Sequence, residues 1–352
     1  MKRKNFCSGF LANGKEKGLL MSIGLILAAL ACVVIGMPIA ANAQNVVKWK
    51  YYHITPPMHH DVKTMREFAK EVQEKTHDQL QITVYSLGEL PYKPTEAVSI
   101  IRDGFVDAGV LVSDFVAGEI PIFNLTNLPM LITNADEQTQ AMKILVPYME
   151  RELNKRGLKL LFWRYNSQKS LFGRGTPVTN LEDIKGKKIR TFGSADAQFI
   201  KSLGGIPVTM PSTEVSTAMQ RGVMDAFIAS AFYSVGLRWD ELCDWAYLMN
   251  ITAITSYECA NMKSLEKVSE ANRKILFDTA AKYHDRWRED IIALENKARE
   301  SMAKDGKKMT EMSQEDRRTA TEIIKPYWEK WAASVGPDAV EALQKVREVL
   351  NK

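Results

Sequence analysis

The chain has 352 residues, 25% of them charged and 45% hydrophobic, with a formal net charge of +5. That balance excludes a disordered or fibrous protein and leaves length for two ordinary domains with real cores. The basic excess is local: Lys2, Arg3, Lys4, Lys15 and Lys17, set against Glu16 alone, precede residue 44, and without them the charge falls to +1. No Lys/Arg cluster interleaved with aromatics survives that subtraction, so nucleic acid is not an expected partner.

These cations precede the apolar run Leu19–Met37 and the small-residue exit "IAANAQ", the pattern of an export signal, with cleavage expected between Ala43 and Gln44 and the mature protein in the periplasm. An uncleaved anchor is the alternative, because the run is nearly long enough to span a bilayer. A lipoprotein cysteine at Cys32 lacks the leucine expected three residues upstream. Of four cysteines, Cys243 and Cys259 remain after residue 43, either as a disulfide or as two buried thiols. No Cys/His set has metal-ligand spacing.

From Val46 strands alternate with helices, which predicts an α/β protein with largely parallel sheets. "VVKWKYYHI" reads as a strand. "DVKTMREFAKEVQEKT" reads as a helix with Val62, Met65, Phe68, Ala69 and Val72 on one face. "QLQITVY" alternates like a half-buried strand, and "LKLLFWRYN" begins another after Gly157. "NLEDIKG" is a short capped helix followed by the strand "KKIRTF", which carries Arg190 into a small-residue turn. Beyond Lys263 helix formers dominate with no strand pattern. One periodic run extends from about Ser269 to Lys304, a second from Gln314 to Ser334, and "GPDAVEALQKVREVL" supplies a last helix with Pro337 in its first turn.

The chain also repeats itself. "TEAVSIIRDGFVDAGV" (Thr95–Val110) matches "TEVSTAMQRGVMDAFI" (Thr213–Ile228) without a gap, with Thr, Glu, Gly, Asp and Ala at equal offsets. Each copy reads as a helix ended by a glycine, then a strand beginning near Asp107 or Asp225. Two similar lobes follow, with "LVSDF" and "ASAFY" facing each other at the carboxyl ends of two sheets, where open α/β folds bind ligands. That places Ser113 and Ser230 in or beside equivalent loops.

Enzyme motifs are missing. There is no G-x-S-x-G elbow, no G-x-x-x-x-G-K-[ST] loop, no H-E-x-x-H, and "LGGIP" lacks dinucleotide spacing, so no cofactor is indicated. Arg190 has two readings: a structural ion pair, for instance with Glu214, or a planar fork for a ligand carboxylate.

The stretch "NLEDIKGKKIRTFGSADAQFIKSLGGIPVTMPSTEVSTAMQRGVMDAF", with "EKTHDQLQITVYSLGEL" and "AVSIIRDGFVDAGV" upstream, resembles the periplasmic solute receptors of tripartite ATP-independent periplasmic (TRAP) transporters, the DctP-like family. The resemblance implies a two-lobed periplasmic binding protein fold with a long helix spanning both lobes. Lobe one would hold residues 44–167 and 256–295, lobe two 168–255 and 296–352. It also implies that Arg190, in the "G-x-K-I-R" position, binds the carboxylate of a small organic acid. The closed receptor, expected as a monomer, would then be presented to a membrane permease. An exported enzyme acting on organic acids, or the ligand-binding subunit of a sensor, is the alternative. Sialic-acid-type members carry a second arginine twenty residues before the motif arginine, where this chain has Ser170. Many members place an asparagine after "GVMD", where this chain has Ala229 and Ser230. With Trp163, Phe192, Phe232 and Tyr233 nearby, the pattern suits a monocarboxylate with an apolar or aromatic body, unless those aromatics are core. His53 or Gln168 is expected to add a hydrogen bond.

Overall fold

A computed structural model describes residues 46–352; the expected export signal lies outside them. The chain opens with β1 (Val47–Tyr52), α1 (His60–Lys75), β2 (Leu80–Tyr85), α2 (Ala97–Arg102), β3 (Ala108–Val112), α3 (Ser113–Val116), α4 (Ala135–Asn154) and β4 (Leu158–Gln168). It continues with β5 (Ser170–Gly173), β6 (Lys188–Thr191), α5 (Ser194–Ser202), β7 (Ile206–Thr209), α6 (Val215–Gln220), β8 (Ala226–Ala229), α7 (Ala231–Gly236) and β9 (Trp245–Leu248). Last come β10 (Ala253–Asn261), α8 (Met262–Glu266), α9 (Glu270–Lys304), β11 (Lys308–Glu311), α10 (Gln314–Val335) and α11 (Pro337–Leu350).

Two sheets form, in the orders β2-β1-β3-β10-β4 and β11-β9-β5-β8-β6-β7. The repeat is visible in both. β1 pairs in parallel with β2 and β3, and β6 pairs in parallel with β7 and β8. Gly104 and Gly222 end the short helices at φ 77° and 67°, a left-handed conformation that glycine adopts without steric cost. Asp107 then accepts a hydrogen bond from the Lys50 backbone at 2.8 Å, and Asp225 from that of Lys188 at 2.7 Å. The two aspartates therefore stitch the start of equivalent strands, which explains why the residue type recurs.

The sheets are mixed rather than largely parallel. β10 runs antiparallel to β3 and β4, and β5 antiparallel to β8 and β9. The reason is connectivity: each of these strands enters its sheet from the opposite lobe and so runs against the local direction. β4 passes into β5 through Lys169 alone, and β9 into β10 through residues 249–252. The two crossings hydrogen-bond to each other, Lys169 N to Thr252 O at 2.9 Å and Ile251 N to Lys169 O at 2.7 Å.

The helix α9 has 35 residues and is about 50 Å long at 1.5 Å per residue. It packs on β4 and α1 of lobe one and on α7 of lobe two. Its buried Glu295 accepts from Phe232 N at 2.9 Å and Ala231 N at 3.3 Å, and Arg299 reaches Asn250 in the second crossing at 3.0 Å.

One expectation for the C-terminal region needs correction. β11 extends the lobe-two sheet beside β9 although its four residues, "KMTE", are too few to show a strand period. The helices after it, expected in lobe two, make contacts to both lobes. Tyr247 still ties the start of α10 through Asp316 at 2.7 Å, but Trp328 donates to Pro129 O at 2.9 Å, and Lys352 reaches Leu131 O and Glu137 at 2.8 Å. α11 packs along α4 of lobe one, where its apolar stripe of Ala339, Ala342, Leu343 and Val346 is buried. Cys243 and Cys259 are both free thiols, one before β9 and one within β10 of the other sheet.

Candidate functional site

Arg190 stands on β6, flanked by β7 and β8, with 1% of its surface exposed. Nε donates to Met210 O at 3.1 Å and one Nη to Ile228 O at 3.4 Å. The guanidinium lies 3.8 Å from the centroid of the Phe192 ring and 5.6 Å from that of Trp239. Among the described residues no carboxylate pairs with it, Glu214 included. A guanidinium carries five N–H donors, so the second Nη and half of the first are left for something else. Burial pulls its pKa down to about 10, with Asp196 and Asp114 opposing the shift.

Lys169, in the first crossing, is equally buried. Its ammonium donates to Asp114 of α3 at 2.8 Å and to both carboxylate oxygens of Asp196 of α5 at 3.2 and 3.3 Å. It also lies 5.3 Å from the Phe192 ring. Burial works to lower its pKa, but the two aspartates outweigh it and the net shift is upward. Asp114 belongs to lobe one and Asp196 to lobe two, so this cluster joins both lobes at the hinge. Counting twenty residues back from Arg190 falls on Ser170. The buried cation is one residue earlier, which sequence spacing alone missed.

Lobe one contributes a second arginine. Arg164 on β4, also 1% exposed, donates to Asp61 at 2.8 Å, to Asn166 at 2.9 Å and to Glu258, and lies 4.2 Å from the Trp287 ring centroid. Tyr51 donates to the other oxygen of Glu258. Burial works to raise the Asp61 pKa, but Arg164 and the neighbouring histidines outweigh it and hold that carboxyl well below its usual range. Burial pushes Glu258 the other way. His53 Nε2 faces an Arg164 N–H at 3.2 Å, and its Nδ1 accepts from Thr55 N at 3.2 Å with Thr55 Oγ1 at 2.9 Å. Burial and Arg164 lower its pKa to about 3, and the ring is neutral. Tyr233, from α7 of lobe two, closes the network by donating to Asp61 at 2.7 Å, and its ring stacks on His59 at 4.8 Å.

The expected site residues divide. Arg190 and Phe192 stand together, His53 and Tyr233 sit in the lobe-one network, and Gln168 adjoins Lys169 and is half-buried. Ser230 accepts from Tyr233 N at 3.2 Å as the cap of α7. Ser113 is turned into lobe one against Thr126 at 2.9 Å, and Ser170 is bonded to Asn250 N at 3.2 Å within the hinge. Trp163 lies apart from all of them, packed edge-on against His284 of α9 at 4.5 Å. Its strand is the edge of the sheet, where the long helix covers one face. Phe232 is wedged between His59 and His60 rather than lining open space.

Two mirrored lobes joined by crossing strands, with an unpaired buried cation near the hinge, define a two-lobed solute-binding protein. The family model for the bacterial extracellular solute-binding proteins, family 7, matches residues 51–334, and the chain belongs to that family. A solute-binding protein of Albidiferax ferrireducens is 30% identical over 182 residues, 51% of this chain; the match spans about half, 53%, of that relative. One from Chromohalobacter salexigens is 25% identical over 295 residues, 80% of this chain and 85% of its own. The crystal structure of a Bordetella pertussis extracytoplasmic solute receptor binding pyroglutamic acid superposes with a TM-score of 0.79 at 22% identity, covering 85% of this chain and 99% of that one.

Proposed function

We propose that this protein is a monomeric periplasmic receptor that closes on one small organic acid, held through its carboxylate by Arg190, and hands it to a TRAP membrane permease. The observation that carries the reading is the unpaired guanidinium. A buried charge without a counter-ion is costly, and a carboxylate accepts the two parallel N–H groups that Arg190 leaves unused. Membership of a solute-binding family supports capture without turnover. The pyroglutamate complex of the Bordetella receptor supports a carboxylate ligand.

The surroundings refine the expected ligand. Phe192 offers an aromatic face in lobe two, but Arg164, Asp61 and His53 of lobe one, with Tyr233 of lobe two bonded to Asp61, form a polar wall where the lobes meet. A carboxylate that also bears hydroxyl, keto or amide groups fits this pair of walls better than a plain hydrocarbon acid. A thermal-shift panel of pyroglutamate, pyruvate, benzoate and D-glucuronate tests the reading, with small-angle scattering to detect a more compact particle and recovery of the ligand unchanged to exclude catalysis. Preference for a neutral sugar or a cationic amine over every acid would overturn it.

A further inference from the structure

We infer that Lys169 is a positioning residue that holds Asp114 and Asp196 off Arg190 and so reserves the guanidinium for the ligand. The inference rests on the carboxylate reading above and adds a reason why that site is empty of protein acids. Arg190 and Lys169 both lie within 5.3 Å of the Phe192 ring centroid, so one small volume holds two cations and two aspartates. Left to choose, carboxylates favour a guanidinium, whose planar fork offers two parallel donors, over an ammonium. Here both aspartates are on the ammonium instead. Lys169 is placed to do this because the single-residue crossing sets its Nζ between α3 of lobe one and the first turn of α5. Asp196 is further oriented by the Phe192 backbone N–H at 3.4 Å. An acid left free at that point would compete with any ligand for Arg190.

Asp196 faces Lys169 from the crossing, Asp114 from α3, Arg190 from β6 and Tyr327 from α10. Burial and Asp114 push its pKa up in spite of Lys169. Removing Lys169 should therefore make binding depend on the protonation of Asp196.

The test starts from a ligand-free crystal structure of Lys169→Met, in which Asp196 is expected on the Arg190 guanidinium; an unmoved Asp196 beside a free Arg190 would refute the inference. In solution the affinity for the best binder among pyroglutamate, pyruvate, benzoate and D-glucuronate should fall at least about tenfold in Lys169→Met. It should recover in Lys169→Met/Asp196→Asn, and in the single variant it should recover as the pH is lowered. A Lys169→Met/Asp114→Asn/Asp196→Asn variant, with neither aspartate left to compete, that binds as weakly as the single one would mean that Lys169 touches the ligand itself, contrary to the inference. If Lys169→Met does not fold, Lys169→Arg takes its place: both aspartates should sit on the new guanidinium with Arg190 free, and an aspartate on Arg190 would again refute it. Should none of the four acids bind the wild-type protein, the carboxylate reading fails, while the ligand-free structures still decide the role of Lys169.

Discussion

Arg164 and Arg190 make an instructive pair. Both stand on strands, one in each sheet, and both expose 1% of their surface. Arg164 is saturated: Asp61, Glu258, Asn166 and His53 surround it, and Trp287 covers its face. Arg190 has two backbone carbonyls and an aromatic face, with no acid on it among the described residues. Equal burial therefore has opposite meanings. The saturated arginine is a structural member of lobe one, and the unsaturated one keeps N–H groups free for the ligand proposed above.

The largest effect should come from Arg164→Met, which leaves Asp61 and Glu258 buried without their cation. Loss of one partner of a buried pair costs about 3–5 kcal/mol, so the urea midpoint should drop sharply. Arg190→Ala should leave that midpoint nearly unchanged and instead weaken acid binding by about 3 kcal/mol, read by calorimetry, with Arg190→Lys recovering part of it. If the two outcomes were exchanged, the contrast between the arginines would be broken.

His53 gives a smaller effect with a defined sign. Its folded pKa is lowered from 6.5 to about 3, so below 6.5 the unfolded chain takes up a proton that the folded protein does not. Its contribution is whole above that value and is lost as the pH falls toward 3, at about 1.4 kcal/mol per pH unit for one proton. His60, also lowered, acts in the same sense. Urea unfolding between pH 7 and pH 4 should show the slope, and His53→Gln should flatten it. The smallest effect is expected of Tyr233→Phe. Losing its bond to Asp61 across the lobes should cost about 1 kcal/mol, seen as weaker ligand binding and a less compact bound particle by scattering.

Much of the scaffold was legible in the sequence because it rests on local chemistry. Helix periodicity and the glycines at positive φ are set within about a turn of chain, so the repeat revealed two lobes, and the short strand "KKIRTF" placed Arg190 near a strand end. The partners of the buried charges were not legible. Arg164 meets Asp61 across 103 residues and Glu258 across 94, and Lys169 meets Asp114 across 55. Such pairs have no spacing rule, because the fold of the crossing strands brings them together. The same holds for Trp163 and for the final helix: a strand pattern gives alternation and a helix pattern gives an apolar stripe, but which neighbour covers each face is decided by the packing of the long helix and of α4. The sequence alone thus determined that an arginine stands at the carboxyl end of a lobe-two strand. Only the tertiary structure decided that no acid among the described residues neutralises it, since pairing depends on which distant groups the fold brings within hydrogen-bond reach.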